Sequence, residues 1–194
     1  MSANWEVPGP DGTRFSSIRH VARTGSTNID LLTLAAGGAA SGLVLVADRQ
    51  DAGRGRQARQ WHSEPGNSAL FSVLLRPPTE VATLIPLLKG LAVLEAIDRL
   101  LGREAEESLV ALKWPNDVLV PSRGERKLAG ILAEATTERD GLAVVVGTGI
   151  NLRFESPPPA EVADRAVTLE ELTGGAVDRN EVVRSVLVAL ESQL

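Results

Sequence analysis

The chain has no cysteine in its 194 residues. That absence removes disulfides, thiolate zinc sites and a cysteine nucleophile together. Histidine is scarce as well: His20 and His62 alone give no basis for a His-rich metal site, and neither has an acid–base partner visible in the sequence. There is no broad excess of basic charge. The formal net charge is -5, which argues against general binding to DNA or RNA backbones, a task that needs a wide basic face. A long uninterrupted apolar run is also missing. The longest apolar segment, Thr83 to Leu101, is broken by Lys89, Glu95, Asp98 and Arg99 and reads as a core helix rather than a membrane span. Residues 1–14 are polar and contain proline and glycine, without the apolar stretch of a signal peptide, so a flexible N-terminus and a cytoplasmic location are expected.

What is present is 43% hydrophobic and 23% charged, which suits one globular domain, residues 1–194, with a sizeable core. Ser16 to Ala22 reads as a first strand. Ser26 or Thr27 then caps a helix that Gly37-Gly38 ends. The aliphatic run from Gly42 to Asp48 and the segment Ala69 to Leu75 read as buried strands. Residues 49–60 have neither periodicity and are expected to be a loop. Leu84 to Leu101 is the main helix. Strand-like pieces Val110 to Trp114 and Asp117 to Val120 flank Pro115-Asn116, with Trp114 expected in the core. Lys127 to Ala135 and Leu142 to Ile150 read as a hairpin joined around Arg139-Asp140-Gly141. A proline-rich link runs from Glu155 to Glu161. Thr168 and Glu171 form a capping-box pattern, and Arg179 to Leu194 is a last amphipathic helix. Strands that follow strands with few helices between them predict an α+β fold, with a mixed, largely antiparallel sheet packed against helices.

Three motifs carry the chemistry. The first, Gln50-Asp51-Ala52-Gly53-Arg54-Gly55-Arg56, lies in a stretch that also holds Arg49 and Arg59. A local cluster of arginines in an acidic protein points to a small anionic ligand. Gly53 and Gly55 are expected to turn successive N–H groups toward one point as an anion nest, and Arg54 and Arg56 add planar donors that suit carboxylate or phosphate. The bland alternative is a solvated Gly/Arg surface loop. The segment formally fits the dinucleotide fingerprint, but it runs into Pro65-Gly66 instead of opening a helix, so that reading is rejected. No Gly-Lys-Ser/Thr sequence occurs, which excludes a P-loop. The second motif, Lys113-Trp114-Pro115-Asn116-Asp117, reads either as turn chemistry with a surface lysine or as a proline-held turn with Asp117 placed to help hold Mg²⁺. The third, Lys127-Leu128-Ala129-Gly130-Ile131-Leu132, places a lysine at the start of an apolar strand. Such a lysine either snorkels to water or neutralises charge at a reacting centre.

Taken in order, and with Thr24-Gly25-Ser26-Thr27-Asn28, Trp61, Gly66-Asn67, Leu70-Phe71-Ser72, Leu75-Arg76-Pro77 and Gly147-Thr148-Gly149-Ile150-Asn151, these motifs resemble the catalytic domain of biotin–protein ligases (biotin–[acetyl-CoA-carboxylase] ligases). The match runs from about Thr24 to Leu152. The resemblance implies a class II synthetase-like, biotin–lipoate ligase catalytic core. It also implies a two-step reaction: biotin and Mg-ATP give biotinyl-5′-AMP and pyrophosphate, and a lysine of a biotin carboxyl carrier domain, of acetyl-CoA carboxylase or a related carboxylase, then takes the biotin. By position, Ser26, Thr27 and Gln50 would bind the ureido ring, with Gly53 and Gly130 allowing close backbone approach. The Arg54 backbone and Lys127 would meet the carboxylate and the new anhydride. Arg56, Arg59, Trp61, Lys113, Asn116 and Asn151 would serve the nucleotide, with Trp61 covering the adenine, and Asp117 would serve Mg²⁺. Lys127, Arg54 and Arg56 are the expected catalytic groups. The loop is expected to be mobile and to close over the adenylate.

The chain departs from the family pattern in three ways. Ala58 stands where the arginine loop usually has a third glycine, an N-terminal helix-turn-helix domain is not expected, and neither is the usual C-terminal SH3-like domain. DNA and membranes are therefore not expected partners, and a homodimer is compatible with the sequence. The alternative readings are a truncated module that holds biotin or biotinyl-AMP without transferring it, and the related lipoate or octanoate transferases. For the latter, the lack of cysteine excludes a thiol route and the arginine loop favours biotin.

Overall fold

A computed structural model of the chain describes residues 5–61, 63–139, 141–156 and 160–194. His62, Asp140 of the expected hairpin turn and residues 157–159 of the expected proline-rich link lie outside the described residues. Eight strands form one sheet in the order β1-β2-β3-β4-β8-β7-β6-β5. They are β1 (Trp5–Pro8), β2 (Ser17–Thr24), β3 (Val44–Gln50), β4 (Ser68–Leu75), β5 (Ala111–Lys113), β6 (Asp117–Val120), β7 (Arg126–Glu138) and β8 (Gly141–Asn151). β2 and β3 pair in parallel and the remaining neighbours are antiparallel, so the sheet is mixed and largely antiparallel as expected.

Helix α1 (Thr27–Ala36) connects β2 to β3, with Ser26 as N-cap and Gly37 as C-cap. Helix α2 (Ile85–Leu100) carries Pro86 in its first turn, where the missing N–H costs nothing. Two short helices, α3 (Ala160–Ala163) and α4 (Leu169–Thr173), precede α5 (Arg179–Gln193). The capping box at α4 forms in full: the Thr168 hydroxyl accepts from the Glu171 N–H, and the Glu171 carboxylate accepts from the Thr168 N–H.

The two faces of the sheet are covered differently. Strand β4 is buried along its whole length, and its side chains alternate between the faces. Ala69, Phe71 and Val73 point into a large apolar cluster with Val93 and Ile97 of α2 and Val186 and Leu190 of α5. Leu74 points the other way, into a small cluster with Leu31 and Ala35 of α1, Leu45 and Val145.

The structure corrects several sequence expectations. Residues 5–8 are not a flexible tail: β1 extends the sheet edge against β2, and the Trp5 ring stacks on His20 at 4.8 Å. Trp114 is not in the core. It is 83% exposed, because it sits at the tip of the short β5–β6 hairpin, beyond the reach of α2. Arg49 and Gln50 belong to β3 rather than to the following loop.

Candidate active site

The arginine motif folds back on itself as a narrow finger. Arg54 bridges Gln60, the Gly55 N–H donates to the Arg59 carbonyl at 2.8 Å, and the Trp61 N–H donates to the Gly53 carbonyl at 2.9 Å. The turn at the tip is a short 3-10 segment, Arg56–Ala58, with Gln57 in the left-handed region at φ 56. The expected anion nest is absent, because the Gly55 N–H is spent inside the finger and Gly55 is extended. These glycines serve close approach instead. A side chain at Gly53 would meet the Trp61 carbonyl at 2.8 Å. Arg54 pairs with Glu134 of β7 at 2.9 Å, which ties the finger to the sheet. Arg56 and Arg59 make no ion pair among the described residues.

Between the finger and the α1 face of the sheet lies a cavity of about 430 Å³. Its floor is cleared by glycines. The Trp61 indole lies on the floor so closely that a Cβ at Gly149 would be 2.6 Å from the ring and one at Gly130 would be 2.8 Å from it. The indole Nε1 is buried without a hydrogen-bond partner among the described residues. Lys127 Nζ sits 5.3 Å from the centre of the same ring and 2.7 Å from Asp117 Oδ1. The Lys127 backbone is anchored on both sides: its N–H donates to Arg165 and its carbonyl accepts from Val167. Asn116 locks the β5–β6 turn onto β7, since the Ile131 N–H donates to its carbonyl and its side-chain amide donates to the Ile131 carbonyl.

At the other end, half-buried Gln50 of β3 meets buried polar groups of α1 and β4. Gln50 Oε1 accepts from the Thr27 N–H at 2.7 Å and stands 3.0 Å from the Thr27 hydroxyl. Thr27 is 2.7 Å from Ser72, and Ser72 donates to Asn28 Oδ1 at 2.6 Å. Asn28 in turn donates to the Leu132 carbonyl and to Glu134. A Cβ at Gly147 would lie 2.2 Å from Asn28 Oδ1, so this position of β8 accepts only glycine with Asn28 in place.

The structure gathers Ser26, Thr27, Gln50, Arg54, Arg56, Arg59, Trp61, Asn116, Asp117, Lys127 and Gly130 around one cavity. Gly53, Lys113 and Asn151 do not line it. Gly53 supports the finger from behind. Lys113 is exposed on β5 with Glu125 at 3.8 Å. Asn151 is buried, and its amide donates to the carbonyls of Lys127 and Val167, so it positions Lys127 rather than facing a ligand. Trp61 occupies the glycine floor itself, so it is the indole that approaches Gly130 closely here. Asn28, Ser72 and Glu134 went unassigned in the sequence. A lone serine inside the apolar run of β4 was the available signal for one of them. The described residues contain no group of three or more His, Cys, Asp or Glu able to hold a metal ion, so Asp117 would meet Mg²⁺ only together with a ligand's own oxygens.

The biotin/lipoate A/B protein ligase family profile matches residues 21–151. A biotin--[acetyl-CoA-carboxylase] ligase of Mycobacterium tuberculosis is 40% identical over 187 residues, covering 94% of this chain and 66% of the relative. The bifunctional ligase/repressor BirA of Bacillus spizizenii is 37% identical over 164 residues, covering 82% of this chain and 48% of the relative. The chain thus spans between about half and two thirds of the length of these relatives. Among solved structures, a biotin protein ligase from Aquifex aeolicus in complex with biotin and ATP superposes with a TM-score of 0.73 at 35% identity, covering 91% of this chain and 69% of that one.

Proposed function

The chain belongs to the biotin/lipoate A/B protein ligase family, and from that membership we propose that it joins biotin to a protein lysine through biotinyl-5′-AMP. One observation carries the reading: a single cavity has a polar end at buried Thr27 and half-buried Gln50, a glycine-cleared floor, and cations at Lys127, Arg54 and Arg56. The polar end suits the ureido ring, because buried donors and acceptors reject analogues that leave them unpaired. The cationic end suits the carboxylate and the α-phosphate. Biotin's carboxylate oxygen attacks the α-phosphorus, the bond to the β-phosphate oxygen breaks, and pyrophosphate leaves. The ε-amine of an acceptor lysine then attacks the acyl carbon, AMP departs, and the amine loses its proton.

The chain's part in this reaction is to place the reactants and neutralise charge. Lys127 leaves Asp117 to meet the carboxylate and the developing phosphate charge. Asp117, so released, would be the carboxylate to hold Mg²⁺, which would supply neutralisation of charge on the pyrophosphate. Arg54 exchanges Glu134 for substrate oxygens. Arg56 and Arg59, which make no ion pair among the described residues, take phosphate. The indole of Trp61 leaves the glycine floor and covers the nucleotide, and the finger excludes water from the anhydride. Residues 1–194 act as the catalytic domain, and the acceptor is a biotin carboxyl carrier domain. No helix among the described residues is long and apolar enough to cross a membrane.

The test is biotin-dependent pyrophosphate release with ATP and Mg²⁺, with and without an apo carrier domain. Turnover with biotin appearing on the carrier supports the ligase. A single stoichiometric burst with an unlabelled carrier would instead support the alternative, an adenylate-forming core that does not transfer. No release at all would sink both.

A further inference from the structure

The polar end of the cavity contains a hydrogen-bond problem with one good solution. Three oxygen–oxygen contacts run in series from Gln50 Oε1 through the hydroxyls of Thr27 and Ser72 to Asn28 Oδ1, at 3.0, 2.7 and 2.6 Å. The two outer atoms are amide oxygens and only accept. Two hydroxyl protons must therefore serve three contacts, and one contact is left without a proton.

The amide of Asn28 settles its own orientation. Its two N–H groups go to the Leu132 carbonyl at 3.1 Å and to Glu134 at 2.9 Å, both acceptors, so Oδ1 faces Ser72. The missing Cβ of Gly147 leaves room for that oxygen. The short Ser72–Asn28 contact then takes the Ser72 proton. Ser72 can only accept from Thr27, which commits the Thr27 proton to the second-shortest contact. The bare contact is the longest one, between Thr27 Oγ1 and Gln50 Oε1. Gln50 Oε1 is already satisfied there by the Thr27 backbone N–H at 2.7 Å. Thr27, Ser72 and Asn28 are all at most 4% exposed, so water does not scramble this order.

We propose that Ser72, which does not line the cavity, and Asn28, which lines it beside Thr27, fix the hydrogen-bond polarity of its ring end, so that Thr27 Oγ1 and Gln50 Oε1 both face it as acceptors and select a ligand N–H. This rests on the reading of the cavity as a biotin site. A ureido N–H directed at the Thr27–Gln50 edge meets two oxygens that have no proton between them, and it relieves their repulsion. A ring oxygen placed at the same point meets the same two oxygens with no proton available.

The experiment compares calorimetric affinities for biotin and for two carbamate analogues, in each of which one ureido N–H is replaced by a ring oxygen. The unaltered chain is expected to prefer biotin over one regioisomer by on the order of 100-fold, the size of an unpaired buried polar group. Ser72→Ala removes the acceptor of the Thr27 proton. That proton becomes free to point into the cavity, and the preference should fall about tenfold. Asn28→Ala lets Ser72 donate to Thr27 instead and should move the ratio the same way, so the relay stays testable if one variant folds poorly. If both variants weaken biotin and analogue equally, leaving the ratio unchanged, Ser72 and Asn28 are packing residues and the inference is wrong. If the unaltered chain binds neither molecule, the biotin reading itself fails, and the relay with it.

Discussion

Phe71 and Ser72 are neighbours on β4, yet they look into two different interiors. Ser72 faces α1, where every polar group of the Thr27–Ser72–Asn28 series is bonded onward and the series ends at Glu134 and the finger. Phe71 faces α2, where the fully buried ammonium of Lys89 lies 4.3 Å from the centre of its ring with no hydrogen-bond partner among the described residues. Burial there pulls the Lys89 pKa from its usual value of 10.5 down to about 7. Asp98, on the same helix, has its pKa raised mainly by burial, although Ser108 donates to it. The thick apolar cover of α2 and α5 tolerates isolated polar groups at a cost in stability. Under α1, on the face with the cavity, the polar series is bonded throughout, and the indole N–H of Trp61, unpartnered among the described residues, lies in the cavity rather than in the packing. Partnered burial organises the cavity face, whereas the face under α2 and α5 tolerates unpartnered groups within its apolar packing.

Four changes would break or sharpen this contrast. Lys127→Ala, on the binding face, should lower biotin-dependent pyrophosphate release by on the order of 1000-fold while leaving the melting temperature nearly unchanged. Release near the normal rate would end the role assigned to Lys127. On the supporting face, Lys89→Met should stabilise the fold by about 3 kcal/mol at pH 7, measured by urea unfolding, with activity retained. The sign follows from its lowered pKa. Between pH 7 and 10.5 the unfolded chain binds a proton that the folded chain does not, so unaltered stability rises with pH across that window and is flat below it. The Met variant should lack this slope, and a slope that persists would mean Lys89 is not its source. Gly147→Ala, back on the binding face, should cost about 2 kcal/mol, because the added methyl meets Asn28 Oδ1, and it should weaken biotin binding as well. An alanine there without effect on either quantity would show that Asn28 has room to move. The smallest effect is expected of Arg56→Ala: about tenfold in the ATP requirement, with faster escape of biotinyl-AMP. An unchanged adenylate off-rate would count against phosphate contact by that arginine.

Much of this architecture was legible in the order of residues. The continuous apolar strands, the Gly37 stop, the capping box at Thr168 and Glu171 and the β7–β8 hairpin all rest on local chemistry, and they appear where local chemistry puts them. What escaped depends on contacts between distant segments. β1 joins the sheet by pairing with β2, where Trp5 lies opposite His20 and stacks on it. Trp114 read as core because it is an aromatic next to strand residues, but the three-residue β5 ends before it reaches cover. The nest expected at Gly53 and Gly55 failed because a finger needs close backbone contact, which glycine permits equally well. Within the cavity, the arginines and Lys127 stood out as charges. Asn28, Ser72 and Glu134 are connected across β4 and β7, and no spacing rule encodes such a connection.

The chain has three tryptophans and no tyrosine, so its ultraviolet emission comes from three separate environments. Trp114 stands in water and should emit at the red edge whatever is bound. Trp5 is stacked on an imidazole at the far edge of the sheet. Trp61 lies on bare glycine backbone beside an ammonium group, in the space a ligand would need. The protein therefore carries its own optical gauge of occupancy. Displacing one indole from the cavity floor would change its colour and brightness against two constant backgrounds, and filling of the site could be followed in real time without a label.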